Sequence, residues 1–166
     1  MRCLSLSQPW ASLVAIGAKR IETRSWRTTY IGPLAIHAAK ALPRVTADRA
    51  GSSPLCWETL GASGLSPATV PRGAVIAVCW LIACISTDEV RNAAHAGQRC
   101  NVAVGAQEQE FGDYAPGRWA WVLTDIAALP EPIPARGALG LWTWQPPVDI
   151  AVAPFPPASF DCRKEE

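Results

Sequence analysis

Between Gly17 and Arg24 a turn residue, a cation, a carboxylate and a second cation fall within eight positions: Gly17-Ala-Lys19-Arg20-Ile-Glu22-Thr23-Arg24. Trp10 lies before this set and Trp26 just after it. Indole faces offer stacking for a nucleobase, guanidinium groups can stack and bind phosphate, and a carboxylate can accept from an exocyclic amine. Polar residues at this density on one strand either face water or line a cavity, and the flanking tryptophans favour a lined cavity. Trp10 taken alone has a plainer reading, a core anchor at helical spacing.

These residues need elements to hold them. Cys3, Leu4 and Leu6 make a short strand, and Ser7 stands where an N-cap belongs, with Pro9 tolerated in the first turn. Trp10, Leu13 and Val14 follow the spacing of one buried helical face, and Gly17 stops that helix after about two turns by taking a left-handed conformation. Lys19 to Trp26 then alternates, with Arg20, Glu22, Arg24 and Trp26 on one face and Ile21, Thr23 and Ser25 on the other. On a regular strand Lys19 and Glu22 point to opposite faces, so they converge only if the strand starts irregularly near Lys19.

Further along, Leu34 to Ala39 reads as a strand with His37 facing away from Leu34, Ile36 and Ala38. Residues 43–72 are broken by glycines and prolines, with helix-compatible pieces at Val45 to Ala50 and Cys56 to Leu60. Gly73 to Ser86 is apolar on both faces, the pattern of a doubly covered strand, and too long to be straight. Thr87 is placed to cap a short helix through Ala94, with Asp88 and Glu89 in its first turn. Ala103 to Gly117 reads as an acidic, glycine-containing loop before a Trp-rich strand, Arg118 to Asp125. Pro130, Pro132 and Pro134 mark an extended segment excluded from a central strand, and Gly137 to Trp144 is a last short strand. Short strands, few helices and frequent Gly/Pro punctuation predict an α+β, mainly β chain built as a small barrel with flanking short helices.

The chain has 166 residues, 49% apolar and 17% charged, which fits one domain with a real core. We place that domain at residues 1–145 and a proline-rich tail at 146–166. The longest apolar stretch, Ala74 to Ile85, is 12 residues, short of the roughly 20 that a membrane helix needs. No secretory h-region precedes Pro9, so a cytoplasmic location is expected and no membrane partner. The six cysteines contain no Cys-x-x-Cys pair and several sit in apolar runs, so reduced core thiols are expected. With His37 and His95 the only histidines, neither a metal nor another cofactor is expected.

The net charge of +1 conceals a segregation. Residues 1–49 carry eight cations against two carboxylates, and the remainder seven against twelve. One reading is a local anionic partner such as a phosphate or a short nucleic-acid strand; the other is that distal acids fold back over these cations.

At these residues the sequence resembles the ASCH (ASC-1 homology) domain family of the PUA-like superfamily. The resemblance is carried by Leu4-Ser-Leu-Ser-Gln-Pro-Trp10, by Gly17 to Arg24 as a Gly-x-Lys-x-x-Glu-x-Arg element, and by Gly32-Pro-Leu-Ala-Ile-His37-Ala-Ala-Lys40. Phe111-Gly-Asp-Tyr-Ala-Pro-Gly-Arg-Trp-Ala-Trp121 and Pro134-Ala-Arg-Gly-Ala-Leu-Gly-Leu-Trp142 complete it. It implies a PUA-like β-barrel and RNA or nucleotide binding in a cleft beside that element. Carried over by position, Lys19 would meet phosphate or act as a base, Glu22 would orient Lys19 or read a base edge, and Arg24 would bind phosphate or pair with Glu22. The matched segments add Gln8, Trp10, Trp26, His37, Lys40, Glu110, Tyr114 and Trp119 to the binding set. Similar bacterial proteins are amidohydrolases of acetylated cytidine with a Thr nucleophile three residues after the Lys. That position is Glu22 here and Thr23 is one residue off, so the mechanism is not carried over. Other members are ribonucleases, for which Lys19 with Glu22, Glu108 or Glu110 would be the acid/base pair.

The leading expectation is a basic, Trp-lined cleft, formed by Lys19, Arg24, Trp26, His37, Lys40 and the Glu108 to Trp119 loop and strand, that binds single-stranded RNA or a nucleotide. The rivals are a small hydrolase, a ribonuclease or nucleoside amidohydrolase, using Lys19 and Glu22, and a protein-interaction module.

Overall fold

The computed structural model describes residues 1–41, 53–96, 104–147 and 150, with side chains throughout except at 92–96. The strands are β1 (Arg2–Leu6), β2 (Ile21–Arg24), β3 (Gly32–Ala38), β4 (Ala74–Ser86), β5 (Trp119–Pro134) and β6 (Leu141–Thr143). The helices are α1 (Trp10–Ala15), α2 (Pro54–Ala62), α3 (Thr87–Ala96) and α4 (Ala106–Glu110). All six strands join one curled sheet in the order β2-β5-β4-β3-β1-β6, an α+β, mainly β half-barrel with short flanking helices. No helix among the described residues is long and apolar enough to cross a membrane.

β4 is the central strand because it is apolar on both faces. Ile76, Cys79 and Leu81 pack on one side with Leu4, Leu34, Ile36 and Trp121, while Val75 and Val78 pack on the other with Cys3 and Trp144. Each fully buried aliphatic side chain of this kind stabilises the fold by about 1.5–3 kcal/mol relative to exposure. Register shifts between Val75 and Ala77, Val78 and Trp80, and Leu81 and Ala83 bend the strand, which is how 13 residues fit a curled sheet. α1 closes the concave side, giving Ala11 and Val14 to the main core and Leu13 to a third cluster with Cys56, Leu60 and Phe111.

Four local expectations are corrected. Ser7 does not cap α1: Pro9 is the N-cap residue and makes no side-chain bond. The longer Gln8 side chain reaches in instead, its Oε1 accepting the Ser12 N–H at 3.1 Å while Nε2 donates to Ser12 Oγ and to the Pro71 carbonyl. Ser86, not Thr87, caps α3, through a reciprocal pair in which Ser86 Oγ accepts the Glu89 N–H and Glu89 Oε2 accepts the Ser86 N–H. The acidic loop contains a helical turn, α4. Finally, the proline segment belongs to β5, a strand with two neighbours. β2 covers only Trp119–Val122 of β5, so among the described residues no strand pairs with its later part on that side, and Pro130 and Pro132 fall in a bulge between Ala128 and Ile133. The helical piece expected at Val45 to Ala50 and most of the expected tail lie outside the described residues.

Candidate functional site

Gly17 ends the first helix with φ +75°, and the Lys19 N–H bonds back to the Leu13 carbonyl. The strand alternation therefore starts only at Ile21, and Lys19 is free to fold beneath it. Its ammonium is wholly buried, donating to the Ile21 and Phe111 carbonyls and lying 3.7 Å from both Glu22 Oε2 and Glu108 Oε1. The convergence of Lys19 and Glu22 thus comes from an irregular strand start. A buried charge is tolerated only when paired and hydrogen-bonded, and four acceptors around three N–H groups meet that demand.

Glu108, from α4, performs a second task. Its two carboxylate oxygens accept the Arg20 and Ile21 N–H groups at 2.9 and 3.0 Å, so an acid distant in sequence seals the start of β2. The next turn of chain is sewn to β2 as well. Thr23 Oγ1 accepts the Asp113 N–H at 2.8 Å, and Arg118 donates from Nη2 to the Thr23 carbonyl and from Nε to the Asp113 carbonyl.

Between this seam, β1 and α1 lies a cavity of about 280 Å³. Glu22, Thr23 and Arg24 form one wall, Gly112, Asp113 and Arg118 a second, Ser5 to Ser7 a third, and the Trp10 indole closes it with Phe111, Cys56 and Glu110. Arg24 is held from two sides, 3.6 Å from Glu22 Oε1 and 3.5 Å from the Ser5 carbonyl, while its buried Nε has no hydrogen-bond partner among the described residues. The Arg118 and Arg24 guanidiniums face three lining carboxylates, Glu22, Glu110 and Asp113. This lining departs from a basic, indole-walled cleft: its carboxylates outnumber its cations by one, and among the described residues Trp10 is the one tryptophan in it. Between the two readings of the segregated charge, folding back describes Lys19, which Glu108 from the acidic region reaches.

The remaining expected site residues are placed elsewhere. Lys19 lies under the cavity wall. Gln8 is consumed in holding α1. Trp26 packs edge-on against Trp121 with centroids 4.6 Å apart, and Trp119 carries the Arg27 guanidinium over its ring. Tyr114 packs on Ile21, Val90 and Ala120, its hydroxyl pushed well above the usual phenol range by burial and by the nearby Glu108 and Glu22 carboxylates. His37 is on the far side of the sheet, between Ser5 Oγ and the Ala135 carbonyl, both at 3.1 Å, with burial lowering its basicity. Lys40 is exposed with its stem alongside Gly73. The His95 side chain lies outside those described. Burial raises the Cys56 thiol, so although it lines the cavity it stays protonated.

Sequence reasoning passed over Ser5, Ser7 and Thr23 as cavity-lining residues, and it placed Asp113 and Arg118 in the cleft only as part of the Glu108 to Trp119 stretch, without a role for either. Asp113 and Arg118 lie in a segment already singled out, and their spacing across Gly117 would have suggested a turn closed by an ion pair. Thr23 gave no signal, because alternation alone turned it away from Glu22.

A family model described as the ASCH domain matches residues 4–131. Human Activating signal cointegrator 1 is 35% identical over 90 residues, 54% of this chain and 15% of that protein. The mouse protein of the same name is 54% identical over 41 residues, 25% of this chain and 7% of that one. The chain therefore matches only a small part of these relatives' length. A crystal structure described as ASCH from Zymomonas mobilis aligns with a TM-score of 0.42 at 16% identity, over 80% of this chain and 72% of that one.

Proposed function

Because this chain belongs to the ASCH domain family, we propose that its cavity binds one unit of single-stranded RNA or a free nucleotide. The observation that carries this reading is that the Glu22 to Arg24 end of the Gly-x-Lys-x-x-Glu-x-Arg element lines one cavity together with Trp10. At about 280 Å³ the space falls just under the roughly 300–1,000 Å³ typical of ligand pockets, so it is sized for no more than one base with its sugar. Trp10 supplies a stacking face, Arg24 and Arg118 donate to oxygens, and Glu22 and Asp113 accept from amino or hydroxyl groups. Lys19 is a positioning residue, since its donors are already engaged.

Trp fluorescence titrated with nucleotides and short RNA oligomers tests this. Quenching that Arg24→Ala weakens by tenfold or more, with unchanged circular dichroism, is the expected result. Absence of salt-sensitive binding up to high micromolar ligand would overturn it. A hydrolytic role would show itself in the same samples as product formation lost in Glu22→Gln. A protein partner suggested by the cointegrator relatives would use another face and is compatible with this reading.

A further inference from the structure

The lining of the cavity carries one more carboxylate than cation, two guanidiniums against three carboxylates. It is therefore a poor receptacle for a phosphate chain, which would meet Glu22, Glu110 and Asp113 at close range. Unopposed positive charge lies just outside, where the chain leaves β2. Arg24 and Trp119 are register partners, so they share a face with Cβ atoms about 5 Å apart. Arg24 lines the cavity and also lies 6.0 Å from the centroid of Trp26. Three residues on, exposed Arg27 holds its guanidinium 5.2 Å from the centroid of Trp119 and makes no ion pair among the described residues. On α3, the Asp88 carboxylate is turned to the Gly117 N–H and that of Glu89 to the Ser86 N–H.

From this division, and resting on the nucleic-acid reading above, we infer that the Arg27–Trp119 pair is an outer subsite for the nucleotide adjoining the one in the cavity. The ligand is then a single-stranded RNA of two or more units rather than a free nucleoside or mononucleotide. The cavity takes an uncharged base and sugar. The phosphodiester passes Arg24, and the next base stacks on the outer plane of the Arg27 guanidinium, which Trp119 supports from beneath. A guanidinium laid against an indole loses little further freedom when a base covers it.

The experiment compares uridine and adenosine with hexauridylate and hexaadenylate by Trp fluorescence, over 50 to 200 mM salt as a working range of the kind used for phosphate contacts. Hexamers should bind at least tenfold tighter than nucleosides. Arg27→Ala should remove most of that advantage, lower the salt slope by about one, and leave nucleoside binding unchanged. Arg27→Lys should restore the slope but not the full affinity, because Lys keeps the charge and loses the stacking plane. Equal affinity for nucleosides and hexamers, or an equal loss of both in Arg27→Ala, overturns the outer subsite while leaving the cavity reading intact. No binding by either class overturns both.

Discussion

At the scale of single residues, Lys19 organises the site without touching the cavity. It joins the Phe111 carbonyl, Glu22 and Glu108 to the start of β2. Removing one member of a buried ionic cluster leaves the others uncompensated, so Lys19→Met should cost about 3–5 kcal/mol of stability. Urea unfolding measures this, and loss of ligand quenching should follow loss of fold. His37 gives a pH effect of opposite origin to a salt bridge. Burial holds its folded pKa below the unfolded value near 6.5, so the unfolded state binds the extra proton first. Its stability contribution is therefore full above about pH 6.5 and is lost as pH falls through the folded pKa. Thermal unfolding followed from pH 8 to 5 should show an acid-side decline that is shallower in His37→Gln. Cys3 and Cys79, buried with thiols pushed up to about 12, add no charge in this range.

At the scale of elements, the seams between segments matter more than the segments. α3 is started by the Ser86–Glu89 reciprocal cap and anchored by fully buried Thr87, whose Oγ1 accepts the Arg118 N–H and lies 2.8 Å from the Ala115 carbonyl oxygen. Ser86→Ala should destabilise by about 1 kcal/mol, read as a lower denaturation midpoint with an unchanged slope. The connection from β5 to β6 is tighter still. A Cβ added at Gly137 would stand 2.4 Å from His37 Cε1 and 2.9 Å from Ser5 Oγ. Gly137→Ala should therefore cost about 1–3 kcal/mol through forced displacement of the His37 ring. Nuclear magnetic resonance of the imidazole should report that shift directly. Much of this level was legible beforehand: the two-faced apolar run at Gly73 to Ser86 announced a central strand, and the turn at Gly17 announced the end of α1. The proline segment misled because proline lacks the N–H that a doubly paired strand needs, yet among the described residues β5 is paired on both sides only at its beginning.

At the scale of the whole molecule, the sheet, α1 and the cavity share one set of contacts. Leu13 and Phe111 belong to the cluster beneath the Trp10 wall, and Trp121 belongs to the main core while pairing with Glu22 across β2. Near-ultraviolet and far-ultraviolet circular dichroism should therefore report the same urea midpoint, and a split between them would show that the cavity seam opens separately. Local spacing by itself determined the Lys-Glu-Arg element, the amphipathic first helix, the buried central strand and the mainly β class, because each is written in residues close together. Tertiary structure alone decided the charge of the cavity and the roles within it. Glu108 reaches Lys19 across 89 positions, Asp113 and Arg118 arrive beside Thr23 from the segment that leads into β5, and Gln8 finds the Pro71 carbonyl. Those pairings depend on which distant carboxylate, guanidinium or carbonyl the curled sheet brings within hydrogen-bond reach, and no local periodicity encodes that.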